Sequence, residues 1–221
     1  NSADSNTTGS DNVALGYCFY DNTTGSKNTS LGTYSLANNT TADNNVSVGY
    51  ESLGANTTGH SNVAVGMDTF KDNTTGYQGV ALGYQAGQNN TEGIANIAIG
   101  YRALDTNTTG DTNVAIGYQA LFANTTQDNT VAIGTYALDA LTTGAKNVAI
   151  GYNALTSITT GSDCTAVGYQ ALQNNLNGDN TAVGREAMKV STTADYCTAL
   201  GSQALDALTT ANMNTGLGYQ A

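Results

Sequence analysis

The stretch Asn113-Val114-Ala115-Ile116-Gly117-Tyr118-Gln119-Ala120-Leu121 decides the fold. Val114 and Ile116 alternate around a small residue, the period-two pattern of a β-strand. β-Branched residues favour that conformation. Gly117 then permits a bend or a close approach of backbones. Ala120-Leu121 is a second short apolar piece. Asn124-Thr125-Thr126 beyond it carries turn chemistry, as does Asn107-Thr108-Thr109-Gly110 before it.

The stretch recurs. Its glycine returns at Gly16, Gly32, Gly49, Gly66, Gly83, Gly100, Gly117, Gly134, Gly151, Gly168, Gly184, Gly201 and Gly218. Ten of the twelve spacings are 17 residues and two are 16. Seventeen residues are too few for a helical-hairpin repeat or a propeller blade. They suit one coil of a solenoid, expected here as two or three short strands joined by tight turns. The sequence therefore predicts an all-β fold, a parallel β-solenoid of about 13 coils with a 17-residue repeat, filling residues 1–221 as a single array. Coils stacked at the interstrand spacing of roughly 4.8 Å would reach on the order of 60 Å. Asn1 and Ala221 both interrupt the repeat without a recognisable cap. The expectation is an array that continues further, or copies that stack end to end through their open ladder edges.

The rows of the stack follow from the period. One residue before the glycine stands a branched apolar residue in every coil, from Leu15 to Leu217. Three before it the residue is always Val, Ile or Thr. Four after it Leu dominates, with Tyr20, Phe70, Gly87 and Met188 as variants. These rows are read as a narrow core, each fully buried side chain contributing roughly 1.5–3 kcal/mol. The absence of proline fits a chain in which every coil donates amides to its neighbour.

The unit Asn-Thr/Val-Ala-Ile/Val-Gly-Tyr-x-Ala-Leu, as at Asn147–Leu155 and Thr165–Leu172, resembles the head repeat of trimeric autotransporter adhesins and similar arrays in viral tail-fibre-like proteins. The resemblance covers all thirteen units. It implies a left-handed parallel β-roll in an extracellular fibre, usually trimeric, on a cell or virion surface, that binds host surfaces, matrix proteins or glycans. The period is longer than in that family, with an added Asn-Thr-Thr-Gly turn, and no stalk or membrane-anchor segment is present.

Several rows have the chemistry of a surface. Paired threonines such as Thr57-Thr58 and Thr142-Thr143 recur in the turn. Adjacent residues of an extended chain point to opposite faces, so one threonine per coil should face outward. A regular threonine array also suggests an ice-binding face, the weaker alternative. Asn-x-Ser/Thr sequons begin at Asn6, Asn22, Asn28, Asn38, Asn39, Asn45, Asn56, Asn73, Asn89, Asn107 and Asn124, which are acceptors if the chain is secreted. The turn asparagine gives way to Leu141, Ile158 and Leu208, with Leu176 close by. These mark either a wider core or a contact strip for a second chain. Tyr84, Tyr101, Tyr118, Tyr152 and Tyr169 follow the glycine as a packing row or a platform on which sugar rings could stack. Asparagines four before the glycine, among them Asn28, Asn62 and Asn147, form a ladder whose amides satisfy one another.

Composition narrows the function classes. Seventeen acids against six bases give a net charge of −11, which argues against nucleic acid and anionic lipid as partners. No apolar run is long enough to insert in a membrane. His60 is the only histidine, and no triad, zinc spacing or phosphate loop accompanies it. Lys27, Lys71, Arg102, Lys146, Arg185 and Lys189 are dispersed, so no enzyme is expected. No cofactor is expected either, beyond weak calcium binding by the turn aspartates Asp43, Asp111, Asp128, Asp163, Asp179 and Asp195. Cys164 and Cys197 share a row two coils apart, roughly 10 Å and beyond the reach of a disulfide. Cys18 is remote from both, which leaves only interchain bridges. The expected role is an extracellular structural or adhesive fibre that associates with itself, as a trimer or end to end.

Overall fold

The computed structural model describes residues 5–221; Asn1, one of the two interruptions of the repeat, lies outside them. The chain forms a parallel β-solenoid in two compact units, Asn1–Thr112 and Asn113–Ala221. Each coil contributes one three-residue strand, from β1 (Val13–Leu15) to β6 (Ile97–Ile99) in the first unit and from β7 (Val114–Ile116) to β13 (Thr215–Leu217) in the second. Within each unit, strands neighbour one another in chain order and run parallel. Equivalent residues pair, as Val63↔Val80 and Ala64↔Ala81 do in one unit and Val131↔Val148 and Ala132↔Ala149 in the other. There is no helix among the described residues.

One strand per coil corrects the expectation of two or three. The second apolar piece, Ala-Leu, is a turn because the residues on either side of its alanine are left-handed: Gln119 has φ 51° and Leu121 φ 51°, Asn153 φ 52° and Leu155 φ 53°. A third left-handed row lies five residues before the glycine, as at Ser61, Lys146 and Asp163. Such a backbone costs roughly 1–2 kcal/mol per residue outside glycine. It persists because neighbouring coils hold it on both sides. The Glu51 amide donates to Thr33 O at 3.0 Å in the preceding coil, and the Leu53 amide to Thr69 O at 3.0 Å in the following one. Turn amides thus ladder as strand amides do, which is why proline has no place in the repeat.

The anchor glycines are required twice over. Gly151 has φ +137°, and a Cβ there would lie 2.4 Å from Gly168 O in the next coil. Stacking at strand pitch leaves no room for a methyl group at that point.

Burial reverses part of the reading from sequence. In the strand Val148-Ala149-Ile150 the alanine points inward and is fully buried, while its branched neighbours point outward. The same holds for Val63-Ala64-Val65. The branched rows are therefore the outer face of the strand. The core is built from alanines, from the left-handed Leu row (Leu53, Leu104, Leu121, Leu155) and from two rows of asparagine. The leucines fill the interior from the opposite wall, so the strand can contribute only a methyl group. In the shortened first coil the Leu position is taken by Phe19, which is fully buried and whose amide donates to Ser35 O as that of Leu36 donates to Ser52 O. Tyr20, the occupant expected from residue spacing, is displaced by the missing residue.

Candidate functional site

The turn asparagines form a polar ladder. Asn56 Nδ2 donates to Asn39 Oδ1 at 3.0 Å, Asn73 Nδ2 to Asn56 Oδ1 at 2.8 Å, and Asn90 Nδ2 to Asn73 Oδ1 at 3.0 Å. Each amide also donates to its own turn, as Asn73 Nδ2 does to Gly76 O at 3.0 Å. All the amides point the same way, so the ladder is directional. The asparagines four before the glycine form a second ladder of another kind. Asn45 Oδ1 accepts the backbone amide of Asn62 at 2.9 Å, and Asn45 Nδ2 donates to Gly59 O at 2.9 Å. One side chain thereby ties two separate segments of the following coil to its own.

This geometry settles the accessibility of the sequons. Asn22, Asn28, Asn39, Asn45, Asn56, Asn73, Asn107 and Asn124 are buried members of these ladders, with at most 1% of their surface exposed. A glycan on any of them has no room in the folded chain. Asn6 and Asn38 are exposed and Asn89 is half-buried. The turn chemistry that makes a sequon also makes a ladder residue, so the sequence alone did not distinguish them.

Leu141 and Ile158 occupy the row of the turn asparagines and are fully enclosed. They widen the apolar core, and the contact-strip reading loses both. Leu208 in the last turns is half-buried. In the second shortened coil Asn175 returns to this row, fully buried, and Leu176 takes the place of the first threonine, 46% exposed.

The paired threonines divide into one held and one outward residue, although they lie in a bend and not in a strand. The first is pinned: Thr57 Oγ1 donates to Thr74 O at 3.0 Å and Thr142 Oγ1 to Thr159 O at 3.0 Å. The second, as Thr58 and Thr143, is exposed. Two of the turn aspartates are engaged: Asp43 Oδ1 accepts the Ser26 amide at 2.6 Å and Asp111 Oδ1 the Ile94 amide at 2.7 Å. The three cysteines are free and buried, which leaves no thiol at the surface for a second chain, and burial pushes the Cys164 thiol up to about 11.

Other groups form local arrangements. Tyr84 stacks on Tyr101 at a centroid distance of 5.4 Å and Tyr152 on Tyr169 at 5.5 Å, each pair nearly parallel. Each ring covers part of its neighbour's face and keeps its outer edge in water. Tyr118 meets Tyr136 edge to face at 5.3 Å. A cleft of about 310 Å³ opens at Gly54, where Lys71 pairs with Glu51 at 2.5 Å. Hydrogen bonds from Lys71 and Tyr50 hold the Glu51 carboxyl below the usual range. Burial raises the carboxyls of Asp105 and Asp139, opposed at Asp105 by Arg102, whose Nη2 lies 2.6 Å away.

One internal feature is written in the sequence as a paired substitution. Ser30 and Ser35, and Ser47 and Ser52, replace two inward alanine rows together. Their hydroxyls join in a buried chain, with Ser30 Oγ 3.0 Å from Ser35 Oγ and Ser35 Oγ 2.8 Å from Ser47 Oγ. The joint replacement five residues apart marks them as facing one another.

No family model, curated protein or solved structure matches the chain.

Proposed function

We propose that the chain is a structural subunit of an extracellular surface fibre, a stiff element rather than a ligand-processing one. One observation carries this reading: within each unit successive coils are tied together by repeated bonds, from strand and turn amides to asparagine side chains and first-threonine hydroxyls. Such a stack stores its stability in identical nearest-neighbour interfaces, and each added coil extends it at little cost in specificity. The resemblance of the repeat to adhesin heads supports a surface location.

Immunogold electron microscopy of native material with antibody raised against the folded chain tests the proposal. Label along extended surface fibres is expected. Label confined to the cell interior overturns it.

A further inference from the structure

We infer that the outer face of the strands is a docking surface for a second copy of this chain, which deepens the fibre reading by naming its lateral partner. The face is made of the two outward strand positions of each coil. Across thirteen strands these positions hold only Val, Ile, Leu and Thr, with no charged residue. In a chain of net charge −11, a face free of charge is where two like-charged copies can approach. Most of the branched side chains are half-buried and some are exposed, as Val65 at 38% and Ile150 at 37%, and the tyrosine row runs beside them with Tyr84 at 40% and Tyr152 at 44%. Aromatic residues beside an uncharged apolar stripe match the composition of interface cores.

The occupant follows from pitch and area. Side chains on this face repeat at the interstrand spacing of roughly 4.8 Å. A surface with that pitch over many rows can be matched row for row only by another sheet of the same pitch, which a second copy supplies. A unit of six or seven strands presents a stripe roughly 30 Å long and about 12 Å wide. Docking one unit on its counterpart buries about 700 Å² in total, below the roughly 1,200–2,000 Å² of stable complexes and in the range of weak, transient ones. The association is therefore concentration-dependent.

Sedimentation velocity of the purified full chain over a wide concentration range tests the inference. The weight-average mass is expected to rise from monomer to dimer. Val65→Lys and Ile150→Lys place a charge on each unit's face and should hold the chain monomeric with unchanged circular dichroism. Thr58→Lys and Thr143→Lys add the same charge on the turn surface and should leave the dimer intact. Should the lysine variants misfold, Val131→Thr with Val148→Thr serves instead. Threonine already stands at that position in β10 (Thr165–Val167), so the fold is kept and dimer affinity should fall several-fold. A wild type that stays monomeric throughout, or face variants that dimerise as wild type does, overturns the inference. A monomeric chain that still labels surface fibres would defeat this inference and leave the fibre reading standing.

Discussion

Phe70 fills the space that a side chain at Gly87 would need: a Cβ on Gly87 would lie 2.4 Å from Phe70 Cε1. Gly87 sits in the left-handed row that is leucine in most coils, with φ +60°. Phe70 also covers Gly79, where a Cβ would lie 2.8 Å from its Cε2 and where the neighbouring coils have asparagine. One oversized residue thus explains two interruptions of otherwise regular rows.

Gly87→Leu should therefore destabilise the chain by about 1–3 kcal/mol or more through overpacking. Phe70→Leu alone leaves a void. The double variant Phe70→Leu/Gly87→Leu restores the regular row and should be more stable than either single change, with a coupling energy of about 0.5–3 kcal/mol. Urea unfolding of the four proteins measures it. Strict additivity would show that the two positions do not share one space.

Glycine is needed at some repeat positions and dispensable at others. Gly134 has φ +132°, and a Cβ there would lie 2.6 Å from Gly151 O. Gly134→Ala should cost about 3 kcal/mol or more, from strain and from displaced ladder bonds. Gly54 has no left-handed φ, and the nearest atom to an added Cβ is Glu51 O at 3.3 Å. Ala37 and Lys71 hold the same position in the adjacent coils. Gly54→Ala should stay within about 0.5 kcal/mol of wild type, since lost freedom in the unfolded chain offsets a slight crowding. Denaturant midpoints of the two variants separate these outcomes.

The repeat, its strand and its anchor glycine were legible because each rests on local chemistry: alternation at Val114-Ala115-Ile116, and the backbone freedom of Gly117. The buried face of that strand was not. A period-two segment has two faces, and the opposite wall decides which is enclosed. That wall is Leu121, placed inward by left-handed turns that no propensity favours. Threonine replacing valine at Thr165, Thr181, Thr198 and Thr215 was the available sign that this row meets water. The ladder asparagines were ambiguous for a different reason. Asn-Thr-Thr serves equally as an acceptor sequon and as a turn whose amide bonds along the stack.

Asn73 links three coils through its side chain, donating to Asn56 Oδ1 and accepting from Asn90 Nδ2. Asn73→Leu removes the donor to a buried oxygen on one side and the acceptor on the other. Gly76 O retains the Asn62 amide at 2.9 Å, and Asn90 retains Gly93 O at 3.0 Å. The residual loss should be about 2–4 kcal/mol, that of buried polar groups left without partners. Amide hydrogen exchange should show faster opening centred on the coils of Asn56, Asn73 and Asn90. A variant as stable as wild type would show that the ladder contributes nothing net.

Asp139 supplies the pH dependence. Burial raises its carboxyl above the ordinary value of 3.8, opposed only in part by backbone hydrogen bonds from Asp139 and Ala140. The folded state therefore holds this proton more tightly than the unfolded chain does. Below the unfolded pKa both states are protonated and no penalty exists. As pH rises from near 4 through the folded pKa, the unfolded chain ionises first and folding stability falls. Above the folded pKa the full penalty is present. Asp139→Asn keeps the shape and removes the charge. It should raise stability at neutral pH, leave it nearly unchanged near pH 3 and flatten the slope between. Thermal melts of both proteins across that range give the comparison. An Asp139→Asn protein that parallels wild type at every pH would place the titrating burden on another carboxyl, with Asp105 next in line because its burial outweighs the Arg102 pair.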